Sequence, residues 1–188
     1  MRRELKASNT RLALLAQINR ALELESAELA EQAHTDPLTG ALNRQGLRDA
    51  LMRTSMLLAP PMSIIFTDID FFKRVNDTFC HQVGDDVLRL FSSRITAQLR
   101  STDKLVRWGG EEFLILCQTT DVAQATALAE KLRATLAGES WPHDIPLTAS
   151  FGVAQHRDAE DIGAVIQRAD SQLYRAKHAG RNRVQTDL

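Results

Sequence analysis

Two glycines set between apolar runs constrain this chain most. Leu105-Val106 and Phe113-Leu114-Ile115-Leu116 flank Arg107-Trp108-Gly109-Gly110-Glu111-Glu112, and short apolar runs joined through a glycine pair read as the two strands of a tight hairpin. Lacking β-carbons, Gly109 and Gly110 let a phosphate or ribose come close to the turn's backbone. Strand side chains alternate between faces, so Glu111 and Glu112 point to opposite sides of the sheet and one of them faces whatever the turn admits.

A second run, Ile64-Ile65-Phe66, reads as a short buried strand with Asp68 and Asp70 at its carboxyl end. A spacing of two puts both on one face, and open α/β sheets bind ligands at the carboxyl ends of their strands. Carboxylates at strand ends beside a glycine turn are the equipment for holding a divalent cation and a nucleoside triphosphate against a sheet edge. Singly these signals are weak, because GG is common in turns, EE on surfaces and DxD in many settings. For Asp70 a structural hydrogen bond is as good a reading as metal contact.

At 188 residues and 44% hydrophobic content, the chain has room for one full core plus an appendage. The net charge of −1 provides no global field toward nucleic acid or an anionic membrane, so phosphate binding has to be local. Cys117 ends an apolar run where a buried free thiol is the usual occupant, and no disulfide with Cys80 is expected. No run approaches the ~20 apolar residues of a membrane span and no secretory signal is evident. A reduced, cytoplasmic setting without direct membrane contact is the expectation.

Residues 2–34 contain neither Gly nor Pro and are rich in Leu, Ala, Glu and Arg, which predicts a continuous N-terminal helix. A heptad frame with Leu5, Leu12, Asn19 and Ser26 at a, and Ser8, Leu15, Leu22 and Leu29 at d, allows a coiled-coil stalk with Asn19 setting register; a helix packed on its own domain is the alternative. Thr35-Asp36-Pro37 reads as a cap followed by the first turn of a new element, dividing a stalk over 1–34 from a domain over 35–188. Within the domain the pattern predicts helices over 44–58, 85–99, 122–137 and 162–178, strands over 62–68, 147–154 and 183–185, and the 105–117 hairpin. That order is an α+β, ferredoxin-like palm with a central antiparallel sheet backed by helices.

Four segments, in this order, carry a family resemblance: Asp36-Pro37-Leu38-Thr39-Gly40-Ala41-Leu42-Asn43-Arg44, the stretch from Phe66 to Asp77, Gly109-Gly110-Glu111-Glu112-Phe113, and the stretch from Ala176 to Arg183. From about Thr35 to Val184 the chain resembles the diguanylate cyclases, the GGDEF-domain enzymes, with the signature present as GGEEF. The resemblance implies a nucleotidyl-cyclase palm that condenses two GTP into cyclic di-GMP, working as a homodimer with two Mg2+ or Mn2+ ions per site. Carried over residue by residue, it implies Asp68, Glu112 and the carbonyl of Ile69 as metal ligands, and Glu111 at the reacting hydroxyl or the metal. The backbone of Phe71 and Phe72 with the Lys73 side chain, and farther on Lys177 and Arg181, would meet phosphates. Asn76 and Asp85 would read the guanine edge, a carboxylate accepting from N–H groups that adenine lacks. Spaced by four, Lys177 and Arg181 would share one face if the last helix reaches that far.

Arg100-Ser101-Thr102-Asp103 stands five residues before Gly109 and matches the family's inhibitory RxxD site, with Arg100 and Asp103 taking product; a solvated helix end is the bland reading. Cys80 stands where many relatives have glycine, a departure that touches no inferred ligand. An upstream sensory domain or a regulatory protein could act through the N-terminal helix. A non-catalytic GGDEF module that binds GTP or cyclic di-GMP as a receptor is the main rival, although such relatives typically lose signature carboxylates. A cyclase making a 3′,5′-cyclic monophosphate is disfavoured by the signature and the guanine-reading pair.

Overall fold

The computed structural model describes residues 34–53 and 61–187, together with Gln17 and Arg20. The stalk and its heptad seam therefore lie outside the described residues, apart from helical Gln17, Arg20 and His34. Elements follow in the order α1 (Arg44–Arg53), β1 (Ser63–Ile69), α2 (Phe72–Phe79), α3 (His81–Thr96), β2 (Lys104–Gly109), β3 (Glu112–Cys117), α4 (Val122–Gly138), β4 (Ala149–Gln155), α5 (Ile162–His178) and β5 (Val184–Thr186). The sheet runs β2-β3-β1-β4-β5. Its first three pairings are antiparallel and the β4–β5 edge is parallel.

Every residue of β1 is buried, as expected of a central strand covered on both faces. On one face Ile65, Ile69, Phe113, Ile115, Phe151 and Val153 pack with Phe91 of α3 and Leu132 of α4. On the other, Ile64, Phe66, Leu114 and Leu116 pack with Leu47 of α1 and Val165, Ala169 and Leu173 of α5. Burying each such side chain contributes about 2 kcal/mol. Helix α5 approaches β4 closely at Gly152, where an added Cβ would stand 2.1 Å from the Ala169 carbonyl oxygen. Only glycine lets α5 lie that near β4, and this approach carries the end of α5 to the end of β1.

Local chemistry explains the clear boundaries. Asp121 and Gln124 form a reciprocal capping box on α4, and Asp161 accepts from Gly163 N at the start of α5, each satisfying amides that helix ends leave unpaired. Both cysteines are free, Cys117 buried and Cys80 exposed.

Three expectations need correction. Residues 72–79 form α2, where the sequence pattern predicts no helix or strand, and α3 begins at His81 rather than near Asp85. The two helices are split at Cys80, whose φ of 83° and ψ of 163° lie where glycine is at ease and other residues are strained. Asp36-Pro37 does not open a helix: its carboxylate accepts from Thr39 N and Oγ1 in a turn that precedes α1.

Candidate active site

Asp68 and Glu112 are direct partners across the β1–β3 ladder. Alternation along β3 sends Phe113 and Ile115 to one face and Leu114 and Leu116 to the other, so Glu112 shares the face of Asp68 that α5 covers. From the last turn of α5, Lys177 reaches across to place Nζ 2.8 Å from Asp68 Oδ2. Burial lifts the Asp68 carboxyl to about 6, against the pull of Lys177 and with help from Glu111 and Glu112. Glu112 is also raised by burial, with Asp170 and Glu111 adding to the effect while Lys177 and Arg44 oppose it. Both carboxylates therefore sit where more positive charge would stabilise them.

Among the described residues no three His, Cys, Asp or Glu side chains are grouped to hold a metal by themselves. A divalent cation held by one or two carboxylates completes its shell with substrate phosphates and water. Two opposed, charge-poor carboxylates and the carbonyl of Ile69 at the strand's end fit such an ion.

Asp70 has a different fate. It lies one residue beyond β1 and accepts from Thr148 Oγ1 at 2.7 Å, Ser150 Oγ at 2.7 Å and Asn182 N at 3.0 Å. Both its oxygens are committed to joining β1, the approach to β4 and the turn after α5, so the structural reading of Asp70 holds.

The glycine turn is pinned from outside. Arg107 donates from Nε and Nη2 to the Gly110 carbonyl at 3.0 and 2.8 Å, and from Nη1 to both Asp36 oxygens at 3.1 and 3.0 Å. Burial works against the charge on Asp36, but the hydrogen bonds from Thr39 and Arg107 outweigh it and hold the carboxyl below its ordinary range. Arg44 donates to the Trp108 carbonyl at 2.6 Å, and its guanidinium lies 4.4 Å from the Trp108 ring centroid. Gly110 takes a φ of 46°, which glycine adopts without strain. Nothing local in the sequence signals these roles of Asp36 and Arg44, a carboxylate and an arginine far along the chain from the glycine turn.

Phe72 is core at 5% exposure, while Phe71 is 54% exposed, and Lys73 is exposed on the first turn of α2. The Asn76 side chain lies against α3 at Gly84, the residue before Asp85: an added Cβ on Gly84 would stand 2.0 Å from Asn76 Oδ1. Lys177 and Arg181 do not share a helix face, because α5 ends at His178. Gly180, Arg181 and Asn182, with φ of 115°, 62° and 44°, turn the chain so that the Arg181 guanidinium lies over the Phe71 ring, 4.4 Å from its centroid.

The RxxD segment is no solvated helix end, since α3 stops at Thr96. Arg100 is exposed and Asp103 is 8% exposed. Asp103 Oδ2 accepts from Arg100 N at 3.1 Å, and the buried Oδ1 has no hydrogen-bond partner among the described residues.

The five-stranded mixed sheet backed by helices is the α+β palm that the sequence predicts. The chain belongs to the diguanylate cyclase GGDEF-domain family, whose model matches residues 33–183. It is 39% identical over 163 residues to the response regulator PleD of Caulobacter vibrioides, covering 82% of this chain and 36% of that protein. It is 35% identical over 184 residues to diguanylate cyclase DgcM of Escherichia coli, covering 96% of this chain and 45% of that protein. The chain thus spans less than half the length of these curated relatives. The coiled coil and GGDEF domain of DgcB from Caulobacter crescentus, solved in complex with c-di-GMP, matches with a TM-score of 0.87 at 28% identity, over 95% of this chain and 98% of that one. Diguanylate cyclase SiaD of Pseudomonas aeruginosa, solved with its activator SiaC, matches with a TM-score of 0.78 at 30% identity, over 98% of this chain and 73% of that one. Among the described residues no helix is long and apolar enough to cross a membrane.

Proposed function

We propose that this chain is a cytoplasmic diguanylate cyclase that joins two GTP molecules into cyclic di-GMP and releases two pyrophosphates. The observation that carries the reading is the cross-strand pair of Asp68 and Glu112 beside the pinned glycine turn, with Lys177 on Asp68. In each condensation the 3′-oxygen of one nucleotide forms a bond to the α-phosphorus of the other; the bond from that phosphorus to the β-bridging oxygen breaks, and pyrophosphate carries the electron pair away. The carboxylates would hold Mg2+ or Mn2+, which when bound would neutralise polyphosphate charge and make the attacking hydroxyl more acidic. Asp68, Glu112 and the Ile69 carbonyl hold the cation site, and Glu111 receives the hydroxyl proton or steadies the reacting group. Lys73, Lys177 and Arg181 bind the phosphates, with the backbone of Phe71 and Phe72 beside them. Asn76 and Asp85 read guanine.

One subunit binds one GTP, so the reaction requires two domains (35–188) face to face as a homodimer. The 1–34 stalk governs their encounter, through its own seam or through a regulatory protein or sensory domain that grips it. The activator bound to SiaD supports this reading. Product feedback at Arg100 and Asp103 completes the scheme, supported by the exposed position of Arg100 at the surface, three residues before Asp103. Chromatography of products from purified protein with GTP and Mg2+ tests the activity: cyclic di-GMP is expected, while unchanged GTP would favour the receptor and a 3′,5′-cyclic monophosphate the other cyclase. Arg100→Ala is expected to keep synthesis but lose inhibition by added cyclic di-GMP; inhibition equal to the parent's would remove the feedback site.

A further inference from the structure

The Phe71 ring has no place in the core. It is 54% exposed, belongs to neither apolar cluster and walls an open cavity of about 260 Å³ with Arg74, Phe79 and Leu147. Its backbone is left-handed, with φ of 59° and ψ of 26°, a conformation that a bulky residue adopts only when its surroundings hold it there. Neither packing nor backbone preference explains a phenylalanine here. What the ring touches is charge: the guanidinium carbon of Arg181 lies 4.4 Å from its centroid and that of Arg74 lies 5.7 Å away.

We propose that the Phe71 side chain is a positioning residue for Arg181, fixing its guanidinium for the β- and γ-phosphates of GTP. This rests on the reading of Arg181 as a phosphate ligand. Arg181 stands in a left-handed turn beyond α5, tied down by the bond from Asn182 N to Asp70 Oδ2 at 3.0 Å, one residue before Phe71. Its backbone is therefore placed, but among the described residues its guanidinium has no carboxylate or hydrogen-bond partner, and the face it lies against is the Phe71 ring. A carboxylate could orient it too, but would neutralise its charge and occupy its donors. A π face holds the planar cation while leaving the N–H groups at its edge free for phosphate oxygens. Lys177 shows the contrast, since its ammonium already pairs with Asp68.

The test is equilibrium binding, with Mg2+, of the α,β-methylene analogue of GTP and of GMP to the full chain and to Phe71→Leu, Phe71→Tyr and Arg181→Ala. All three Phe71 side chains bear the same backbone penalty, so the comparison isolates the π face. Phe71→Leu is expected to weaken the triphosphate analogue about threefold to tenfold, leave GMP binding as it was, and add nothing in an Arg181→Ala background. Phe71→Tyr should recover most of the lost affinity. Parent-like binding of the analogue by Phe71→Leu, an equal loss for GMP, or a full further loss on top of Arg181→Ala would each overturn the proposal. If Arg181→Ala itself binds the analogue like the parent, the phosphate assignment of Arg181 fails, and the role of Phe71 fails with it.

Discussion

The end of β1 and the turn just beyond it each carry an aspartate, and their surroundings treat the two in opposite ways. Asp68 faces Glu112 across the ladder, has one lysine as counter-ion and keeps its proton up to a pH of about 6. Asp70 meets three donors from two other parts of the chain and has both oxygens satisfied. Site and scaffold are thus separable by how completely their polar groups are paired. A buried carboxylate with its hydrogen bonds complete stabilises the fold, while one left short of positive charge is a candidate for a ligand that supplies it.

The largest effect that would break this contrast is catalytic. Asp68→Ala or Glu112→Ala is expected to lower cyclic di-GMP synthesis about a thousandfold or more, since metal assistance supplies several kcal/mol, while the circular dichroism spectrum stays that of the parent. Near-parent rates in either variant would return Asp68 to the same class as Asp70.

Asp70→Ala should reverse the pattern. Three donors lose a charged acceptor, two of them on buried or half-buried side chains, which predicts a stability loss of about 3 kcal/mol or more in denaturant unfolding. A loss below about 1 kcal/mol would show that water replaces the network at little cost.

A smaller effect extends the comparison to the helix pair. Gly84→Ala would push a methyl group against Asn76 Oδ1, so the KM for GTP is expected to rise roughly tenfold with little change in melting temperature. An unchanged KM would remove Asn76 from the guanine site.

The smallest effect is the pH dependence. Asp68 carries a raised pKa in the fold, so between about pH 4 and about pH 6 the folded state holds a proton that the unfolded chain has released. The contribution of this group to stability therefore falls as pH rises through that window. Asp68→Asn has no such group, and its stability relative to the parent is expected to grow from about pH 4 to about pH 6 and level off above. A difference that does not change with pH would mean that Lys177 offsets the burial.

Much of this was legible in the residues. The hairpin follows from two apolar runs, although its turn is Gly110-Glu111 rather than the glycine pair, so that Glu111 is not on the returning strand; α5 occupies Ile162–His178, the bounds its periodicity predicts. Asp68, Glu112 and Lys177 could be named from motif register. By contrast, α2 escaped notice because a run with Val75, Asn76, Asp77 and Thr78 has weak helix propensity, and its helix is held instead by burying Phe72 and Val75.

The sequence by itself determined the strands, the turn and the identity of the chemical groups, because alternation, glycine geometry and helix capping act between near neighbours. Tertiary structure decided what each group faces. Only the fold brings Arg107 to Asp36, Arg181 to Phe71, and the Thr148, Ser150 and Asn182 donors to Asp70. Hydrogen-bond satisfaction and charge balance depend on partners many residues away, and for Arg181 and Asn182, which follow α5, the packing of that helix onto the sheet at Gly152 helps to set them.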